Sequence, residues 1–434
     1  MSYSNSIYEN TNQHKINDKI KKYRAITDKN RNIILPDEIK KKLGLKEGSE
    51  IKIMVSEGRI EVLPNIHSLA KVYIEPTSLC NLACQTCVRN TWNESLGDMK
   101  IKTFNKIIEQ LKEFTDVQSV MFGGFGEPTF HKDIIYMINR IKSLNLIAEM
   151  TTNGTLLDEN MIKGLFKNKL DTLWVSFDGA DKNIFESIRK GSNYNNLIES
   201  LKLVKSLNKK SEHKIKVGIA SVLMKKNIDS LNGLVRLAVS VGASKLLISN
   251  VLPYNKDMFG QTLYNCSVDK LFTPPNQLSI SLPLIDVNDY TKEQLYSLFK
   301  NNNYNISINN NSIDPVTRKC KFIEERNTFI RWDGMVSPCM GLLHESKMYP
   351  YTADCFEREV KAYTVGDINA RKLKEIWDSE EYRNFREKVE EFDFSPCLHC
   401  GPCEYAESNI EDCFGNNFPT CGGCLWAHGV IQCP

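Results

Sequence analysis

Between Lys71 and Asn250, six apolar strand-like runs alternate with segments of amphipathic helix spacing, and no other feature narrows the possible folds of this chain as far. KVYIE precedes a helix near residues 103–114, SVMFG precedes DIIYMINRIKSLN, and LIAEMTT precedes LLDENMIKGLFKNK. TLWVSF leads into helical stretches through Ser206, KVGIASVL into a helix near residues 228–241, and KLLISNV closes the series. Such alternation builds parallel βα units. The right-handed crossover rule then leaves an open sheet or a partial barrel, with the ligand site at the carboxyl ends of the strands.

The chemistry at those strand ends is carried by cysteine. The chain holds 14 of them in 434 residues, and its first residues (MSYSNSIYENTNQHK) have no apolar export-signal core, which points to the cytosol. Disulfides are disfavoured there, so metal ligation or redox chemistry is the leading reading. No apolar run is long enough to span a bilayer, and a net charge of +3 from 56 basic and 53 acidic residues demands neither nucleic acid nor membrane. Cys80, Cys84 and Cys87 form C-x3-C-x2-C just after the first strand-like run. Three thiolates from one short loop can hold three irons of a cubane and leave the fourth open, as a catalytic metal requires.

With that loop in place, the stretch from Lys71 to Asn250 resembles the radical S-adenosylmethionine (SAM) enzymes. The resemblance implies an α/β fold, a partial (β/α)6 TIM-like barrel over residues 71–254, with Cys80, Cys84 and Cys87 on a 4Fe–4S cluster. It implies that Gly123, Gly124 and Glu127 of MFGGFGEP meet the methionyl amino group, that Asn153, Ser176 and Asp178 lie near the ribose, and that Arg189 meets the carboxylate of the cofactor. A plain turn at Asn153–Gly154 and a solvated Arg189 are the competing readings. Thr86 stands where the family usually places an aromatic residue, which leaves the adenine contact open.

Cys320, thirteen residues, Gly334, four residues and Cys339 fit the opening of the SPASM domain, as does the stretch YTVGDINARKLKEIWDSEEYRNFRE. Residues 320–434 are expected to be such a domain, with one helix over residues 373–392. Cys397, Cys400, Cys403, Cys413, Cys421, Cys424 and Cys433 follow, in spacings that depart from the family's C-x2-C-x5-C-x3-C. The resemblance implies one or two auxiliary 4Fe–4S clusters, and nine cysteines exceed the eight that two fully ligated cubanes need. Zinc is the rival metal for CxxC pairs. Cys266 and Cys355 read as buried inert thiols. The last forty residues are similar to the maturases proposed to serve tungsten-containing aldehyde oxidoreductases, which implies a client oxidoreductase or its cofactor, and an electron donor such as ferredoxin or flavodoxin. A peptide-crosslinking SPASM enzyme and a DNA-binding iron–sulfur redox sensor remain as alternatives. His131, His344 and His428 read as structural histidines, and Glu407 and Glu411 as surface carboxylates, so no acid–base residue emerges.

Three further segments complete the organisation. Residues 1–20 read as a flexible leader. Residues 21–65 resemble the swapped-hairpin domain of AbrB-type regulators through IILPDEIKKKLGLKEGSEIKI. Such domains dimerise and most bind DNA. Here Lys21, Lys22, Arg24, Lys29 and Arg31 are read instead as a solvated basic face on a dimerisation module. Residues 255–319, including NNNYNISINNNS, read as an irregular bridge.

Overall fold

The computed structural model describes residues 25–43, 45, 47–48, 51–56, 59–264, 279–283, 285–286, 288, 290–295, 305–308, 320–349, 357–395, 397 and 403–434. The leader, Lys21, Lys22, Arg24, Cys266, Cys355 and Cys400 lie outside the described residues.

The first module holds β1 (Ile26–Thr27) paired antiparallel with β2 (Ile33–Ile34), a helix α1 (Asp37–Leu43), and a hairpin of β3 (Ile51–Ser56) with β4 (Arg59–Pro64). Ile26, Ile33, Ile53 and Val55 are all more than half exposed, so these apolar side chains are left uncovered by the other described residues. Lys52 reaches Glu390 at 2.6 Å, an ion pair that ties the hairpin to the larger body.

The six expected strands are β5 (Lys71–Ile74), β6 (Ser119–Phe122), β7 (Ile147–Thr152), β8 (Thr172–Ser176), β9 (Lys216–Leu223) and β10 (Lys245–Asn250), each hydrogen-bonded in parallel to the next. Between them run α2 (Ile101–Leu111), α3 (Ile134–Ser143), α4 (Glu159–Lys167), α5 (Lys182–Ile188), α6 (Tyr194–Lys210) and α7 (Leu231–Val241). In α2 the buried side chains are Thr103, Phe104, Ile107, Ile108 and Leu111, a spacing that turns one face to the sheet. Each such apolar side chain removed from water contributes about 1.5–3 kcal/mol. Asp158, Asp181 and Asn193 accept free N–H groups at the starts of α4, α5 and α6, which fixes where the loop before each helix ends.

The sheet does not stop at six strands. After a short helix α8 (Lys256–Gly260), β11 (Ser279–Leu282) and β12 (Asn305–Ile308) add to β10 in parallel. These come from the region expected to be an irregular bridge. Their sequences SISL and NISI alternate polar and apolar residues, as edge strands do, but each is too short to stand out in an Asn-rich run. On the other side, following α9 (Lys321–Glu324), β13 (Asn327–Ile330) pairs in parallel with β5, and β14 (Met335–Ser337) and β17 (Gly366–Asp367) continue antiparallel. The described strand order is β12-β11-β10-β9-β8-β7-β6-β5-β13-β14-β17, so β5 takes β13 as its second neighbour and the sheet stays open. A small hairpin of β15 (Ser346–Met348) and β16 (Arg358–Val360) stands apart. The single helix expected over 373–392 is two, α10 (Leu373–Trp377) and α11 (Glu380–Glu391), because Ser379 caps a new start by accepting the Tyr382 N–H.

Candidate active site

The C-x3-C-x2-C loop leaves β5 and runs along two other strand-end loops. Ala83 and Gln85 donate to the carbonyls of Lys190 and Ile188 at 3.1 and 2.8 Å, and Glu127 N–H donates to Leu79 O at 2.8 Å. Gly126 is required by contact alone, since a Cβ there would lie 2.0 Å from Thr77 O and 2.7 Å from Leu79 O. The three loops enclose a cavity of about 300 Å³ at the carboxyl ends of β5–β9. Cys80, Cys84 and Cys87 face it, together with Gly123, Gly124, Glu127, Asn153, Ser176 and Arg189.

Each thiol of the loop has a donor beside its sulfur. Asn153 Nδ2 lies 3.7 Å from Cys80 Sγ, Arg189 Nη1 4.0 Å from Cys84 Sγ, and Arg89 Nε 3.4 Å from Cys87 Sγ. Burial pushes the Cys84 thiol up to about 11, and the Arg189 charge works against that rise. Arg89 was not among the residues expected. Its guanidinium also donates to Ser78 O and Leu82 O, so it braces the loop from within, and its place two residues after Cys87 is the only signal the sequence carries.

Asp178 is the one expected cofactor residue that does not face the cavity. It is fully buried, accepts the Val222 N–H at 2.7 Å, and holds Arg189 Nε at 2.9 Å. Arg189 is therefore a buried, aimed cation and not a solvated helix charge. Glu127, 2% exposed, takes Thr129 N–H, Thr129 Oγ1 and Thr152 Oγ1 on Oε1 and the Asn153 N–H on Oε2. Most of its hydrogen-bonding capacity thus ties the glycine loop to the end of β7, and burial raises its pKa. Thr86 faces the cavity as well.

In the C-terminal part, Cys320, Cys339, Cys421 and Cys424 surround one buried site between α9, β14 and the Cys421–Cys424 turn. Burial pushes Cys320 up to about 12 and Cys339 and Cys421 well above the ordinary thiol range, with neighbouring sulfurs adding to the rise. Cys339 and Cys421 are buried and Cys320 and Cys424 partly so; thiols held this far from water become thiolates only against bound cations, and here Arg358, 2% exposed, is packed under Gly423. Among the described residues no three His, Cys, Asp or Glu side chains converge as ligands of a single ion do. Cubane ligands sit on separate irons, so soft sulfur donors spread around a common space fit clusters at both sites.

Cys397 is buried, with its sulfur 2.9 Å from Ser395 Oγ, while Cys403 is partly exposed and Cys413 exposed; none of these lines the four-thiol site. Cys433 lies elsewhere again, on the wall of the cavity that holds the loop cysteines, with Trp426 Nε1 3.3 Å from its sulfur. His131 bonds Met99 O and His428 bonds Gly422 O, as structural histidines do. His344 bonds two carboxylates.

The model of the Radical SAM superfamily matches residues 74–238, and that of the SPASM iron–sulfur cluster-binding domain matches residues 320–404. A tungsten-containing aldehyde ferredoxin oxidoreductase cofactor-modifying protein of Pyrococcus furiosus is 29% identical over 372 residues, covering 84% of this chain and 96% of that protein. A GTP 3',8-cyclase of Clostridium botulinum is 29% identical over 282 residues, 63% of this chain and 81% of the cyclase. Among solved structures, Streptococcus suis SuiB bound to S-adenosylmethionine superimposes with a TM-score of 0.53 at 18% identity, over 77% of this chain and 71% of SuiB.

Proposed function

We propose that the chain is a radical SAM enzyme with a SPASM domain, an arrangement that implies a 4Fe–4S cluster, S-adenosylmethionine and auxiliary clusters, and that it matures a tungsten-containing aldehyde oxidoreductase or its cofactor. The observation that carries the chemistry is the gathering of Cys80, Cys84 and Cys87 with two strand-end glycines and a buried, paired Arg189 around one cavity. Similarity to the Pyrococcus protein over nearly its whole length supports the client.

In this reading Cys80, Cys84 and Cys87 hold the catalytic cluster, and Gly123 and Gly124 let the backbone approach the methionyl amino group. Arg189, kept ionised by Asp178, meets the carboxylate, and Asn153 and Ser176 lie by the ribose. Bound together, cluster and S-adenosylmethionine supply a 5'-deoxyadenosyl radical by one-electron cleavage of the sulfonium. Met121, Ala220, Val222 and Met340 give the cavity an apolar wall that keeps water from the reacting centre. Cys320, Cys339, Cys421 and Cys424 hold one auxiliary cluster, and a one-electron donor such as ferredoxin or flavodoxin feeds the system. The exposed isoleucines and valine of the first module serve dimerisation, and a DNA role is not favoured.

Two measurements test this. Alanine at Cys84 should abolish 5'-deoxyadenosine formation from S-adenosylmethionine under reducing conditions, and an unchanged yield would sink the radical assignment. Tungsten-dependent aldehyde oxidoreductase activity should vanish in a strain lacking this gene and return with the wild-type copy but not with Cys80→Ala. Full activity in the deletion strain would remove the client.

A further inference from the structure

The segment from Cys339 to His344 touches three places at once. Cys339 belongs to the four-thiol site, Met340 lines the catalytic cavity, and His344 lies against the radical SAM core. His344 Nε2 meets Glu75 at 3.0 and 3.2 Å, and Nδ1 meets Glu94 Oε2 at 2.8 Å. The His344 and Glu75 side chains are 2% and 1% exposed. Trp92 stacks on the imidazole with ring centres 4.2 Å apart, and Phe125 meets it edge-on at 5.9 Å. With a carboxylate at each ring nitrogen, the imidazole donates through both and is a cation.

Glu75 carries this contact to the glycine loop. Its Oε1 accepts the Phe125 N–H at 3.1 Å. Gly124, at φ 142°, rides so close over the same side chain that a Cβ would lie 2.6 Å from Glu75 Cγ and 2.7 Å from Oε1. The backbone that faces the cavity at Gly123–Phe125 is thus shaped by the Glu75 carboxylate, and that carboxylate is held by a histidine 269 residues away. Glu94, from the stretch after the cysteine loop, closes the arrangement by accepting the Glu345 N–H at 2.7 Å.

We propose that His344 is a positioning residue through which the auxiliary-cluster domain sets the affinity of the core for S-adenosylmethionine. It fixes Glu75, Glu75 fixes the Gly124–Phe125 backbone, and that backbone forms one wall of the cofactor cavity. The inference rests on the reading of that cavity as the S-adenosylmethionine site. Loss of the imidazolium leaves Glu75 buried without its counter-charge, and the loop it shapes relaxes.

The test uses the cluster-loaded, full-length protein. S-adenosylmethionine binding is measured by calorimetry, and the EPR signal of the reduced catalytic cluster is followed as cofactor is added. His344→Gln should raise the Kd tenfold or more with iron content at the wild-type level, and the cofactor-induced change in the EPR signal should need correspondingly more S-adenosylmethionine. Adding Glu75→Gln to His344→Gln should weaken binding no further, because both act through one contact. A Kd within twofold of wild type in His344→Gln, or independent and additive effects of the two substitutions, overturns the coupling. Should His344→Gln lose iron, Glu75→Gln alone decides: the same tenfold weakening is expected, and unchanged affinity overturns the proposal. Absence of binding by the wild-type holoenzyme would overturn the cavity reading and the coupling with it, whereas binding that His344→Gln leaves intact overturns the coupling alone.

Discussion

Protonation of His344 links the stability of the domain junction to pH, and the size of the effect follows from its surroundings. Burial alone would lower the pKa of the imidazole, but hydrogen bonds and charge from Glu75 and Glu94 outweigh it and raise the value from 6.5 to about 9. Among the described residues Arg331 also lies 3.6 Å from Glu94, and Arg331 is itself paired with Asp333 at 2.6 Å. A base held more strongly protonated in the folded state stabilises that state fully below its unfolded value, and the contribution is lost as pH rises through the folded one. Here the contribution is whole below about pH 6.5 and gone once pH has passed 9. At about 1.4 kcal/mol per tenfold in proton affinity, the gap is worth about 3 kcal/mol, or about two powers of ten in the folded-to-unfolded ratio. Anaerobic guanidinium unfolding of wild type and His344→Gln, at pH 6 and at pH 10, reads it, because the difference between the two proteins cancels the titrating groups that do not touch His344 and leaves the His344–Glu75–Glu94 cluster. The wild-type advantage should be larger at pH 6 by about that amount. An advantage of equal size at both pH values would refute the reasoning, since it would mean that the imidazole is not charged in the native state.

Two further outcomes follow from the site geometry. Cys421→Ala should cost one cluster's complement of iron and sulfide while Cys433→Ala retains both, because Cys421 shares a site with three other thiols and Cys433 faces the cavity of the loop cysteines; equal iron loss in the two variants contradicts that placement. Asp178→Asn leaves Arg189 buried without its counter-charge, which should destabilise the protein by about 3–5 kcal/mol in thermal or denaturant unfolding; an unmoved transition would show that Arg189 finds another partner.

What the sequence discloses of this molecule is what lies close together along it. The strand–helix alternation, the cysteine loop and the glycine motif are each written within one or two elements, where periodicity and spacing leave few alternatives. The helix caps at Asp158, Asp181 and Asn193 are local too. Arg189 was readable only as a residue type in a suggestive place, because its role depends on Asp178, which reaches it from the loop after β8, at the other end of α5. The sorting of the auxiliary cysteines was not readable at all. Cys320 and Cys339 meet Cys421 and Cys424 across some eighty intervening residues or more, while Cys433, nine residues beyond Cys424, turns away into another cavity. No spacing rule distinguishes those outcomes.

The boundary near residue 320 shows the same limit from the other side. Composition changes sharply there, from Asn-rich to cysteine-dense, and composition is what marks a domain edge in a sequence. Yet β13 enters the sheet as the parallel neighbour of β5, Phe329 stacks on Tyr73 with ring centres 4.2 Å apart, and Tyr73 Oη donates to the Pro434 oxygen at 2.7 Å. Residues 327–330 therefore cover the strand from which the cysteine loop emerges, and would leave its hydrogen-bonding edge open if removed. The strand before the cysteine loop and the first strand after Cys320 are neighbours inside one sheet. The contact of Glu75 with His344 is then expected of the architecture: the strand that launches the C-x3-C-x2-C loop has its second neighbour, and the partner of the carboxylate that follows it, beyond residue 320.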